Sequence, residues 1–179
     1  MNVAREPQLL TIEDFDQLPH DDKLNDELLD GILYMSPRPN VSHARCHFNL
    51  IRDLGRALQG HSRCQGYNEL ELQIGDDTIL VPDIMVICDT SKLTRQRYLG
   101  IPLLVVEILS EATLRRDLIY KLNKYESIGI AEYWIVDPKT KSVTVHDFAN
   151  GSATLYDHEE TITSQAVPEI VIDLSQIFE

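Results

Sequence analysis

The sequence is short of cations, cysteines and long apolar runs, and each shortage removes a class of function. Sixteen lysines and arginines stand against 29 aspartates and glutamates, a formal charge of −13 at pH 7. Non-specific binding to nucleic acid needs cations facing phosphates, so the surface as a whole is not built for it. The three cysteines, Cys46, Cys64 and Cys88, are odd in number and unpatterned, which argues against a disulfide scaffold. No apolar run approaches the ~20 residues that cross a bilayer. The first ten residues also lack the apolar core of a secretory signal, so a cytoplasmic protein without membrane contact is the expectation. Two catalytic signatures are missing as well. His43 and His47 stand at i, i+4, but Ala44, Arg45 and Cys46 lie between them, so the H-E-x-x-H zinc motif is absent. No G-x-S-x-G elbow exists to present a nucleophilic serine.

What is present is ordinary in bulk and uneven in detail. At 179 residues and 43% hydrophobic content, the chain reads as a single domain over residues 1–179 with a genuine core. The charge is not spread evenly. Between Lys92 and Tyr125 seven basic residues face three acids, a local +4 that leaves −17 on the rest.

Thr11 to Leu18 reads as a short capped helix that Pro19 ends. Asp30-Gly31 is a hairpin turn signal between two short strands. From Val41 to Leu58, His43, His47, Leu50, Leu54 and Leu58 recur at helical steps on one stripe. Strands are expected over Gln65–Ile74, Ile79–Cys88 and Ile101–Leu109, then a helix from Ser110 to about Ile128 with Gly129 as its stop. A hairpin through Asp137-Pro138-Lys139 joins Ala131–Val136 to Ser142–Phe148, and Thr154–Tyr156 adds a strand. That order gives an α/β fold, a mixed sheet flanked by helices.

Two of those strands carry an anomaly. Pro102 to Ser110 reads P-L-L-V-V-E-I-L-S, and Glu107 sits inside an apolar run that looks covered on both faces. A buried carboxylate costs on the order of several kcal/mol unless a cation or strong donors compensate it. Asp83 interrupts a second run, L-V-P-D-I-M-V-I-C, from Leu80 to Cys88. If the two strands are neighbours, two carboxylates a few ångström apart suit a hard divalent cation such as magnesium. Asp117, Lys121 and Tyr125 follow at i, i+4, i+8, so one helix face offers a lysine to the same place.

Taken together, Val81-Pro82-Asp83, Val106-Glu107-Ile108-Leu109-Ser110, Asp117-x-x-x-Lys121-x-x-x-Tyr125 and Glu132 to Pro138 resemble the Uma-two family. Those are endonucleases of the PD-(D/E)xK superfamily, and the likeness extends to Glu27–Gly31 and His43. It implies a restriction-endonuclease-like fold and a magnesium-dependent site, with manganese as a substitute, that cleaves phosphodiester bonds, DNA being the expected partner. Asp83 and Glu107 would hold the metal and Lys121 would assist catalysis. Glu27, His43 and Asp117 would support them, and Arg115, Arg116 and Lys124 would contact phosphates. One position departs from the superfamily pattern. The residue two after the second acid is Leu109 rather than lysine, which implies that the lysine has moved to the helix, with Lys124 the alternative to Lys121.

Each residue also has a plainer reading. Asp83 can be a turn acid after Pro82; Glu107 can pair structurally with a helix arginine; Lys121 can be a solvated helix lysine. Tyr133 and Trp134 suit sheet packing or an oligomer contact better than base stacking. Cutting both strands of a duplex calls for two sites, hence a homodimer. A non-catalytic binding or scaffold protein with the same fold is the alternative function.

Overall fold

The computed structural model describes residues 9–19, 24–60, 63–110 and 116–178. In chain order these form α1 (Ile12–Asp16), β1 (Leu24–Leu29), β2 (Ile32–Pro37), α2 (Val41–Ala57), β3 (Gln65–Asn68), β4 (Glu71–Ile74), β5 (Thr78–Leu80), β6 (Ile84–Ile87), β7 (Arg97–Tyr98) and β8 (Leu104–Ile108). A π-helical turn, Arg116–Lys121, then runs into α3 (Leu122–Ser127). The chain ends with β9 (Glu132–Asp137), β10 (Ser142–Asp147), β11 (Ser152–Asp157), β12 (Thr161–Thr163) and β13 (Val171–Asp173). Among the described residues no helix is long and apolar enough to cross a membrane.

Two sheets organise the molecule. One has six strands in the order β11-β10-β9-β8-β6-β3, and the other five, in the order β2-β1-β5-β4-β7. Strand β8 runs parallel to β9 and antiparallel to β6, which makes the larger sheet mixed. Alternation along β8 sends Leu104, Val106 and Ile108 to one face and Val105 to the other. The first face packs on Cys46, Leu50 and Leu54 of α2 and on the C-terminal segment that includes Ile162, Ile172 and Ile177. The second meets Leu29, Leu72, Leu80 and Tyr98 of the smaller sheet. On the far side of that smaller sheet, Ile12 and Phe15 of α1 cover Leu28 and Ile79.

Local chemistry accounts for several boundaries. Thr11 and Asp14 form a reciprocal capping box at the start of α1, and the Asn40 side chain caps α2 through the His43 N–H. The β1–β2 turn needs two residues with positive φ, and Asp30 (50°) and Gly31 (76°) supply them.

The structure departs from the sequence reading in four places. The strand expected over 65–74 is two strands, β3 and β4, in different sheets, separated by Glu69 at φ 50°. The strand expected over 79–88 is also two, β5 and β6, again in different sheets. Pro82 has no N–H to extend a ladder, so Asp83 lies in the break rather than within a strand. Of the helix expected from Ser110 to about Ile128, residues 111–115 lie outside the described residues, and the described part opens on a π turn rather than an α one. Finally, Cys64 and Cys88, opposite one another just beyond the β3–β6 ladder, form a disulfide; Cys46 is free and buried.

Candidate functional site

The break before β6 and the middle of β8 hold the two sequence-predicted acids at one level of the larger sheet. Ladder pairing of Ile84 with Val106 places Asp83 level with Glu107 on the neighbouring strand. Because β6 stops there, the Ile108 N–H is left to another acceptor, and it donates to Asp83 Oδ2 at 2.6 Å. The first turn of α2 adds His43, whose Nε2 lies 3.2 Å from Asp83 Oδ1. One helical turn on, His47 Nε2 donates to the Asp83 carbonyl at 2.9 Å. Asp83 is thus held at both side chain and main chain.

Glu107 points to the opposite face of the sheet from Val106 and Ile108 and is 4% exposed. Lys121 Nζ donates to its Oε1 at 2.7 Å, and the Tyr125 hydroxyl donates to the same oxygen at 2.8 Å. Lys121 also lies 2.8 Å from Glu27 Oε1. Glu27 shares the inward face of β1 with Leu29, and its Oε1 accepts the Val81 N–H at 2.9 Å. One ammonium, 2% exposed, therefore joins carboxylates from two sheets. The Tyr125 hydroxyl is pushed well above the usual tyrosine range by burial first, then by the Glu107, Tyr133 and Glu27 charges. It stays protonated, and so remains a donor, at any working pH.

The π-turn explains how one short segment supplies both donors. It ends at Lys121, and the following α-helical turn sets Tyr125 four residues on, over the same carboxylate. Such turns occur disproportionately at functional sites. Lys124 goes elsewhere, pairing with Asp30 at the β1–β2 turn. Arg115 lies outside the described residues; Arg116 and Asp117 open the π-turn. Sequence reasoning did not assign the Ile108 N–H, the Tyr125 hydroxyl or His47 to the site. The lysine-to-tyrosine spacing and the histidine pair were the available signals for two of them; a main-chain donor leaves none.

A family model described as "Putative restriction endonuclease" matches residues 12–175. The chain belongs to the Uma2 family. Among curated proteins none matches. Among solved structures, the chain is similar to one titled as a putative nuclease belonging to DUF820 from Anabaena variabilis ATCC 29413. The TM-score is 0.80 at 20% identity, over 94% of this chain and 97% of that one, which makes the fold common to both. The restriction-endonuclease-like α/β architecture expected from the sequence is therefore the one observed, and the Uma2 match spans all of the acids and histidines described above.

Asp83 and Glu107 offer carboxylate oxygens, the ligand type that magnesium and manganese take, and the His43 Nε2 lies beside the first of them. Among the described residues no three His, Cys, Asp or Glu side chains converge into a ready-made metal centre. Magnesium commonly accepts one or two carboxylates and fills its remaining positions with water and substrate oxygens. The donor set fits a cation held in that way and does not fit a closed structural site.

Proposed function

We propose that this Uma2 chain is a metal-dependent endonuclease that hydrolyses phosphodiester bonds of DNA, with magnesium as its cation and manganese as a substitute. The observation that carries the reading is the convergence of Glu27, Glu107 and Lys121, from three distant parts of the chain, beside the main chain that fixes Asp83. Burying that many ionisable groups works against stability unless they serve a purpose. Asp83 and Glu107 would hold the cation. When bound, it would polarise a phosphate oxygen and acidify a water for attack.

The chain's own residues divide the remaining work. Lys121 carries positive charge to the edge of the Glu107 carboxylate, where it can oppose charge building on the phosphate. Glu27 anchors that lysine from the second sheet, and Tyr125 fixes the carboxylate oxygen that the lysine meets. His43 and the Ile108 N–H orient Asp83. Arg115 and Arg116 are assigned phosphate contacts on charge and chain position, with Asp117 in support; Lys124 would join them only by leaving Asp30. Cleavage of both duplex strands would use a homodimer. The same reading places the protein in the cytoplasm, where reducing thiols would act on the Cys64–Cys88 bond.

A supercoiled plasmid incubated with the protein and magnesium tests the reading. Cleavage that needs the metal and disappears in Asp83→Ala and Glu107→Gln supports it; unchanged cleavage by Asp83→Ala would falsify the assignment. One observation favours the second reading, a nuclease fold used only for binding. Lys121 already lies within hydrogen-bonding distance of both Glu27 and Glu107, as it would in a purely structural network. Calorimetric titration with magnesium and manganese separates the two, since the scaffold reading expects no heat of binding at this site.

A further inference from the structure

Four strands end the two large sheets, and three have visible protection against pairing with another chain. β7 has two residues and β3 four, while β2 finishes on Pro37. Short strands and proline are common ways to blunt an edge. β11 has neither. Its six residues, S-A-T-L-Y-D, pair with β10 in unbroken register without a bulge, and residues 152–155 are exposed. Leu155 leaves 67% of its surface in solvent.

The outward hydrogen-bonding positions can be identified. Residues of an antiparallel ladder alternately turn their N–H and C=O toward the neighbour and away from it. The Asp157 N–H donates to the Glu160 carboxylate at 2.7 Å, and the Asp157 carbonyl accepts the Glu160 N–H at 3.0 Å. Asp157 therefore faces away from β10, and by alternation Leu155 and Ala153 do too. Among the described residues, no hydrogen bond beyond the β10 ladder takes up the main chain at Ala153 or Leu155.

We infer that β11 is a homodimer interface at which two copies pair antiparallel across a two-fold axis through Thr154. That register is selected by the outward groups. It sets Ala153 of each copy opposite Leu155 of the other, so both residues exchange N–H and C=O bonds on both sides of the axis. Thr154 faces itself in a non-hydrogen-bonded pair, where Cβ atoms come within about 5 Å. Tyr156 meets Ser152, and Asp157 meets Gly151, so no like charges stand opposed. A shift that centres the axis on Leu155 would set Asp157, already engaged with Glu160, opposite Ala153 and waste those bonds. The interface joins two six-stranded sheets into one continuous sheet. It rests on the edge geometry alone and is independent of the nuclease reading.

The test uses the full chain and residue 154, whose exposure lets it change without disturbing the fold. Sedimentation of the wild type at tens of micromolar should give twice the protomer mass. Thr154→Cys should form a covalent dimer under air, on a background in which Cys46 is buried and Cys64 is bonded to Cys88. Thr154→Asp and Thr154→Lys should each sediment as monomers, because like charges then meet at the axis, and mixing the two should restore the doubled mass. A monomeric wild type overturns the proposal, as does a dimer that persists in Thr154→Asp or a Thr154→Cys variant that fails to cross-link. Plasmid cleavage by a monomer would leave the nuclease reading standing and remove only this interface.

Discussion

Two buried glutamates on adjacent strands of the same sheet have opposite surroundings. Glu107 on β8 faces the smaller sheet, where its partners include an ammonium and a phenol. Glu132 on β9 is fully buried on the other face, and its partners are neutral: Trp134 Nε1 at 2.7 Å, Ser164 Oγ at 2.6 Å and the Ala166 N–H at 2.9 Å. Neutral donors bring residues 164–166 onto the sheet and close the site around the carboxylate. A lysine side chain on a short helix is a more replaceable partner, because a metal or a phosphate can take over part of its role. The contrast separates an acid that seals the fold from one that is poised for exchange.

Activity should split the pair most sharply. Glu107→Gln should reduce metal-dependent plasmid cleavage by three orders of magnitude or more, on the order of 4 kcal/mol in transition-state free energy, while Glu132→Gln should leave it within a few-fold. Equal loss in both variants would erase the distinction. Stability should split them next. Lys121→Met strands two carboxylates without their common cation and should cost about 3–5 kcal/mol in urea unfolding. Adding Glu27→Gln and Glu107→Gln should recover most of that loss, since the penalty lies in the charges that lost their common cation; no recovery would mean that Lys121 acts through packing instead. Glu132→Gln should cost roughly 1–3 kcal/mol, because its amide presents N–H groups to a site furnished only with donors.

The smallest effect is a pH dependence. The Tyr125 hydroxyl titrates well above an unfolded tyrosine, whose pKa is about 10. Its contribution is fully present below pH 10 and is lost as the pH rises beyond it, because the unfolded chain releases that proton first. Tyr125→Phe should therefore lose about 2 kcal/mol near neutrality and show a shallower decline in stability than the wild type between pH 10 and 11. Parallel declines would place the alkaline sensitivity on other groups.

Much of this architecture was legible in the sequence where a local signal sufficed. The Asp30-Gly31 hairpin, the α2 stripe and the β9–β10 hairpin follow from turn chemistry and periodicity. Periodicity cannot say which sheet a residue joins, so the runs 65–74 and 79–88 each looked like one strand although the chain changes sheet within them. Pro82 marked the second break and was read as part of a strand. The disulfide was hidden for a related reason, since only the β3–β6 register brings Cys64 opposite Cys88. In the candidate site, Asp83 and Glu107 announced themselves as acids among hydrophobes. Their partners did not: the bridge from Lys121 to Glu27 depends on how two sheets stack, and nothing in a lysine codon distinguishes Lys121 from Lys124.

The bond from the Ile108 N–H to Asp83 has an evolutionary consequence. The group that fixes this acid belongs to the polypeptide itself, so residue 108 can drift among apolar side chains without moving the carboxylate. Proline is the one replacement that removes the donor outright. A family built on this arrangement can diverge widely along β8 while keeping its aspartate in place.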